Sequence, residues 1–72
     1  MPTITLINPF SGAAVERQAE DYDQWALDLF ASRMGAEEAS ACEALADGTD
    51  AGWLVNMVEV LGPKRAGEII LS

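Results

Sequence analysis

The chain is 72 residues long, with twelve acidic side chains, four basic ones and no histidine, which gives a net charge of −8 at pH 7. This charge disfavours nucleic acids and anionic membranes as direct ligands and makes a basic protein surface the natural complement. A domain of this size buries only about 60% of the surface that its unfolded chain exposes, so a binding surface is favoured over an enclosed catalytic cleft. Half of the residues are apolar and fall in periodic runs, which indicates a folded chain.

The cysteine content and the amino-terminal sequence indicate in which cellular compartment the protein is expected. The single cysteine, Cys42, has no partner for an internal disulfide, and no histidine is present to share a metal ion. The first ten residues, MPTITLINPF, lack the pattern of a signal peptide, and no segment reaches the roughly 18 apolar residues of a membrane span. The sequence therefore predicts a cytoplasmic protein that uses no metal or cofactor.

The first predicted element is a β-hairpin. Residues 3–7, TITLI, are mostly β-branched and alternate, which places Ile4 and Leu6 on one face of a strand. Residues 8–12, NPFSG, are typical turn residues, and residues 13–18 form a second extended run. The pattern predicts two antiparallel strands joined by a five-residue loop.

From Asp21 onward the apolar period becomes that of a helix. The apolar stripe consists of Tyr22, Trp25, Ala26, Leu29, Phe30 and Met34. Asp21 is the predicted N-cap, with Gln24 at capping-box spacing, and Gly35 is the predicted end of the helix. Because aromatic side chains on such stripes are usually core anchors, Trp25 is assigned to the core.

Two further helices are predicted. Residues 36–46, AEEASACEALA, have high helix propensity. Their thin apolar face consists of Ala39, Cys42, Leu45 and Ala46. Residues 47–50, DGTD, end this helix and cap the next one, which Gly62 and Pro63 close. The apolar stripe of that next helix consists of Trp53, Leu54, Met57, Val58 and Leu61, and Trp53 is also assigned to the core.

The last segment is open to two interpretations. Pro63 opens a short helix that reaches Ala66, after which residues 68–71 either continue the helix or form a strand. We favour the strand, because an isolated hairpin is barely stable and a third strand beside residues 3–7 would support it. The alternative is a wholly helical tail that packs on the hairpin. The predicted fold is thus a single α+β domain: an N-terminal hairpin, completed or not by a third antiparallel strand, packed against about three short helices.

No catalytic pattern stands out. Without histidine, a serine, threonine or cysteine nucleophile lacks its usual base. Cys42 lies among carboxylates, which should raise its pKa, and we interpret it as a small core residue. Residues 47–50 lack the ligand spacing of an EF-hand loop and are better explained by helix capping. The chain is therefore predicted not to be an enzyme.

The distribution of charge is the most distinctive feature of the sequence. Residues 20–59 contain ten carboxylates and one basic residue, Arg33. On a helix, carboxylates at i, i+3 or i+4, and i+7 lie about 5 to 10 Å apart, which is comparable with the phosphate spacing of a nucleic acid. The predicted partner-binding residues are Asp21, Asp23, Asp28, Glu37, Glu38 and Glu43.

Two other roles are consistent with the same residues. The acids can simply keep the protein soluble, since charge runs are usually solvated faces. Leu27, Val55 and Val60 lie beside the apolar stripes, so an apolar surface is a further possibility.

The overall plan resembles small inhibitor proteins of phages and mobile elements, the anti-CRISPR and anti-restriction proteins. It runs from TITLINPFSG through the acidic EDYDQWALDLF to WLVNMVEVLGPKRAGEIIL. The resemblance covers size, charge and lack of catalytic motifs, and it assigns no site residue. It implies a non-enzymatic inhibitor that binds a nucleic-acid-binding defence complex, a CRISPR effector or a restriction enzyme, through an acidic surface that mimics nucleic acid. The alternative function is a small homodimeric structural or assembly accessory protein that uses an apolar helix face.

Overall fold

The computed structural model describes residues 2–71. These residues form strands β1 (Thr3–Ile7) and β2 (Ala14–Gln18), a 3₁₀ turn (Ala19–Asp21), and helices α1 (Gln24–Met34), α2 (Ala36–Ala44), α3 (Asp50–Leu61) and α4 (Pro63–Ile70). The predicted α+β class is confirmed. Within the described residues there are two strands and four helices, so the third strand is replaced by an additional helix.

The alternating pattern of the first strand fixes the register of the hairpin. β1 and β2 pair antiparallel, with Thr5 opposite Glu16. Ile4 and Leu6 are buried, whereas Thr5 is exposed. A slip of one residue would turn the two buried side chains outward, so burial selects this pairing.

The hairpin loop is closed by its first residue. The side-chain Oδ1 of Asn8 accepts hydrogen bonds from the backbone N–H groups of Phe10 and Ser11, at 2.8 and 3.2 Å. Gly12 has a φ of +76°, a left-handed value that glycine adopts without strain. β2 begins at Ala14, so the loop is one residue longer than predicted.

Alternate residues of β1 direct their backbone groups away from β2. The N–H of Asn8, which directly follows β1, donates to the carbonyl oxygen of Ala13 at 2.9 Å. Because hydrogen-bonded positions alternate along an antiparallel strand, the even-numbered residues of β1 are those whose backbone groups bond to β2. The N–H and C=O groups of Thr3, Thr5 and Ile7 therefore point to the free edge of the sheet.

Residues 68–71, predicted as a third strand, are helical up to Ile70, so that prediction is wrong and its alternative is correct. Pro63 occupies the first turn of α4, where its fixed φ favours helix formation. α4 packs on β1, and Gly67 lies against the Ile7 peptide: a Cβ at Gly67 would be 2.8 Å from the carbonyl carbon and 3.0 Å from the nitrogen of Ile7. A helix thus covers one end of the free edge, the role expected of a third strand.

α1 begins later than predicted. Residues 19–21 form a 3₁₀ turn, and Tyr22 is extended, with φ −102° and ψ 139°. The N-cap position is occupied by Asp23 rather than Asp21, and its side chain makes no capping hydrogen bond. The prediction that Asp21 caps the helix is therefore wrong, because Asp21 ends the 3₁₀ turn and two extended residues, Tyr22 and Asp23, separate it from the helix.

The buried face of α1 also differs from the predicted one. The buried residues of α1 are Ala26, Leu27 and Phe30. Leu27, predicted to lie beside the apolar stripe, belongs to the core, whereas Trp25 is 54% exposed. The assignment of Trp25 to the core is wrong, because Trp25 lies about 150° from the centre of the arc formed by the three buried residues. The end of α1 at Gly35, whose φ is +98°, is confirmed.

α2 is held by hydrogen bonds as well as by apolar contacts. Ala39 and Cys42 are buried as predicted, but the helix ends at Ala44 and Leu45 is 83% exposed. The Nε1–H of Trp53 on α3 donates to the carbonyl oxygen of Ala39 at 3.0 Å. The Nδ2 of Asn56 donates to the carbonyl oxygen of Cys42, also at 3.0 Å. These two bonds attach a helix with small side chains to α3.

α3 begins at the predicted cap. The Oγ1 of Thr49 accepts a hydrogen bond from the N–H of Gly52 at 3.0 Å, and Asp47 accepts hydrogen bonds from the N–H and the hydroxyl of Thr49. The buried residues of α3 are Leu54, Met57 and Val58, as its stripe predicted. Together with Ile4, Leu6, Leu27 and Phe30 they form the core between the hairpin and the helices.

Candidate protein-binding surface

The beginning of α1 and the residues just before it bring aromatic and acidic side chains together at the surface. The rings of Trp25 and Tyr22 meet edge to face, with centroids 6.3 Å apart and an interplanar angle of 64°. Asp28 follows Trp25 by three residues and lies on the same exposed face. The Nε2 of Gln24 donates to Asp28 Oδ1 at 3.0 Å. We define the acidic–aromatic patch as Asp21, Tyr22, Asp23, Trp25 and Asp28.

The chemistry of this patch suits a basic protein partner. Trp and Tyr are enriched among the residues that dominate binding energy at protein interfaces. An exposed indole face attracts a guanidinium or ammonium group, and neighbouring carboxylates can accept hydrogen bonds from the same group. Asp21, Asp23 and Asp28 are all exposed. Within residues 2–71, the bond from Gln24 is the only side-chain hydrogen bond to these three carboxylates.

The three predicted acids on α2 are exposed but do not share one face. With 100° between successive residues, Glu37 points about 170° away from the buried seam formed by Ala39 and Cys42. Glu38 and Glu43 flank this seam on opposite sides, each about 70° from its centre. The helix therefore carries separate carboxylates and presents no continuous acidic stripe.

The six predicted acids fall into two groups along α1. Asp21 and Asp23 lie just before its first residue and Asp28 lies within it, whereas Glu37, Glu38 and Glu43 lie on α2, which begins after Gly35. Eleven residues of helix rise about 15 Å between their ends. Asp21 and Asp28 are seven residues apart in the sequence but do not share a helix face, because Asp21 is not part of α1. The first group is the one that the fold combines with an exposed aromatic ring, that of Trp25.

Basic residues collect at the opposite end of α1. The Nη2 of Arg65 donates to the backbone carbonyl oxygen of Arg33 at 3.2 Å, near the C-terminus of the helix, where cations are favoured. Lys64 precedes Arg65 in α4. Three of the four basic residues are thus placed at or next to this end of α1, whereas the acidic–aromatic patch is at the other end.

No protein family, curated protein or solved structure matches the chain.

The remaining reactive groups have structural explanations. Cys42 is buried, and burial, followed by the negative charge of Glu38, raises the pKa of its thiol. Hydrogen bonds from the Thr49 hydroxyl and N–H lower the pKa of Asp47. Among the described residues, no three His, Cys, Asp or Glu side chains are placed to share a metal ion, and no helix has the length and apolar character needed to cross a membrane.

Sequence reasoning missed the aromatic half of the patch. The available signal was a second apolar arc on the same helix, since Leu27 and Ala31 extend the stripe of Ala26 and Phe30 on the side away from Trp25. A core built on this arc leaves Trp25 on the outward side. The choice of the arc that includes Trp25 therefore led to the burial assigned to it.

Proposed function

We propose that this protein is a non-enzymatic inhibitor that binds a basic, nucleic-acid-binding surface of a host defence complex, with the acidic–aromatic patch as the principal contact. The observation that carries the proposal is the exposure of Trp25 next to Asp23 and Asp28. A surface that only confers solubility mixes charges of both signs and exposes few large aromatic side chains. Residues 20–59 instead contain ten carboxylates and one basic residue.

Binding would proceed in two stages. The net charge of −8 attracts a basic groove over long range and accelerates encounter, an effect that salt weakens. At contact, Trp25 supplies a large apolar surface, and Asp21, Asp23 and Asp28 accept hydrogen bonds from arginine or lysine side chains that otherwise bind phosphates. Occupation of the groove prevents the nucleic acid from binding. The acids of α2 would extend the contact.

The distribution of exposed apolar residues favours this proposal over a homodimer that uses an apolar helix face. Phe10 lies in the hairpin loop, Leu45 follows α2, and Val60 lies near the end of α3. On α3, Val60 and Val55 are about 140° apart around the helix axis. These side chains do not form a continuous patch on one helix, as a helix-face dimer requires.

A DNA-binding assay tests the proposed function. Purified CRISPR effector complexes and restriction enzymes are incubated with the protein, and their affinity for target DNA is measured by gel shift. We expect at least one of them to lose DNA binding, and we expect Asp28→Lys to restore it. Glu16→Lys is the matched control, because it changes the charge equally at an exposed site on β2. A second variant reverses Glu37, Glu38 and Glu43 together and should weaken inhibition less per charge than Asp28→Lys.

Two results would contradict the proposal. One is that no member of the panel loses DNA affinity in the presence of the protein. The other is that Asp28→Lys and Glu16→Lys reduce inhibition equally, since this would show a response to net charge rather than to the patch.

A further inference from the structure

The free edge of β1 is covered at one end and open at the other. α4 packs against the Ile7 peptide through Gly67. The outward N–H and C=O groups of Thr3 and Thr5 make no backbone hydrogen bond outside the hairpin among the described residues. Unpaired strand edges are sites at which another extended segment can add.

A groove of about 210 Å³ runs beside this open edge. The residues that line it are Thr3, Ile4 and Thr5 from β1, Val55, Val58 and Glu59 from α3, and Pro63 from α4. The walls are mainly apolar, and Glu59 is the one charged residue among those that line the groove. The groove therefore offers backbone hydrogen-bonding groups, apolar contacts and a single negative charge.

The edge of β1 also lacks the features that usually prevent strand addition. Residues 3–7 contain no charged residue and no proline. The other edge of the hairpin, formed by β2, does carry such a feature. Glu16 is one of the residues whose backbone groups point outward there, and its charge disfavours the addition of another strand. Strand addition is thus favoured at one edge of this sheet, next to Thr3 and Thr5.

We infer that this groove binds an extended, basic segment of a protein partner as an additional strand beside β1. Backbone groups of the segment would exchange hydrogen bonds with Thr3 and Thr5, and alternate side chains would face Val55 and Val58. A lysine or arginine of the segment would pair with Glu59. A second copy of the chain fits less well, because it would bring another net charge of −8 and a second Glu59 to the same groove. This contact is separate from the acidic–aromatic patch.

NMR titration of the isotopically labelled protein with synthetic peptides tests the inference. The probe is a heptapeptide of alternating lysine and valine, and the comparison is its glutamate–valine counterpart. We expect the basic peptide to shift the amide signals of Thr3 and Thr5 and to slow their hydrogen exchange, with a dissociation constant of about 1 mM or less, whereas the acidic peptide leaves them unchanged. Glu59→Gln should weaken the binding of the basic peptide.

Two proline variants provide a matched pair. Thr5→Pro removes an N–H that points to the free edge and leaves the bonds between β1 and β2 in place. We expect it to weaken peptide binding about tenfold, measured at the Thr3 amide, because it removes one hydrogen bond and obstructs the next. Ala14→Pro makes the same change on the outer edge of β2 and should alter binding less than about twofold.

Three results would overturn the inference. The first is that the amide signals of Thr3 and Thr5 do not shift at millimolar basic peptide, and the second is that the two proline variants have equal effects on binding. The third is a self-association of the protein that Thr5→Pro abolishes, which would assign the edge to a second copy of the chain. Trp25→Ala should leave peptide binding intact. The groove and the patch can therefore fail independently.

Discussion

Replacement of Gly67 by alanine should destabilise the protein, although alanine is the better helix former. A Cβ at this position would lie 2.8 Å from the carbonyl carbon of Ile7 and closer still to its oxygen. Restoring an ordinary contact of 3.4 Å to the carbon alone would move α4 by about 0.6 Å, and the obstructing atoms belong to backbone that cannot rotate away. Overpacking of this kind costs about 3 kcal/mol, against a gain of about 1 kcal/mol in helix propensity.

The net loss is therefore about 2 kcal/mol, out of about 4 to 11 kcal/mol for a domain of this length. Thermal unfolding followed by circular dichroism should show a melting temperature lowered by about 10 °C. Gly52→Ala is the control, because this glycine also lies in a helix and its Cβ would meet side chains rather than backbone, those of Asp47 and Thr49. Displacing these capping side chains costs about 1 kcal/mol, which the gain in helix propensity offsets. We expect that variant to change the stability by less than about 1 kcal/mol. An unchanged or raised melting temperature for Gly67→Ala would refute the close packing of α4 on β1.

Two further predictions follow from the environments of individual side chains. Trp53→Phe should lower the free energy of unfolding by about 1 to 2 kcal/mol in urea titrations, because it removes the hydrogen bond to Ala39. Trp25→Phe should change the free energy of unfolding by less than about 0.5 kcal/mol. Equal losses in the two variants would contradict the different burial of the two indoles. The pKa of Asp47, lowered by hydrogen bonds from Thr49, should rise in Thr49→Val when carboxyl signals are followed by NMR. The stabilisation that these bonds give is present above the unfolded pKa of about 3.9 and is lost as the pH falls through the lower folded pKa. Thr49→Val should therefore lessen the dependence of stability on pH in this acidic range. An unaltered Asp47 titration in this variant would contradict the hydrogen-bonded cap.

The elements with a strong periodic signal could be predicted from the sequence. The alternation at Ile4 and Leu6 specified the hairpin, and the stripe that contains Leu54 and Met57 specified α3. Both patterns succeed because burial on one face is the dominant contribution to the stability of such elements.

The errors arose where two local signals compete. Ala26 and Phe30 belong to two overlapping apolar arcs of α1, one extended by Trp25 and the other by Leu27, and packing against the core buries the second. Residues 68–71 can form a strand or a helix, and the deciding interaction is the approach of Gly67 to Ile7, sixty residues away in the chain. Tertiary contacts of this kind override local preference and leave no local pattern.

The candidate surface was predicted in part. The exposed positions of all six acids follow from their charge, but their division into two groups depends on where α1 begins and ends. The aromatic component was assigned to the core. The groove beside β1 depends on α3 and α4 lying next to one strand edge, an arrangement that no local pattern specifies.

The role of the acidic–aromatic patch is tested most directly by measuring how tightly the protein binds a defence complex that it inhibits. The quantity to be measured is the dissociation constant. Trp25→Ala and Phe10→Ala should be compared by isothermal titration calorimetry, because each removes an exposed aromatic ring, 54% and 81% exposed respectively. We predict that Trp25→Ala weakens binding about thirtyfold, the equivalent of about 2 kcal/mol, and that Phe10→Ala changes it less than about twofold. Equal affinities of the two variants would contradict the assignment of the patch as the binding surface.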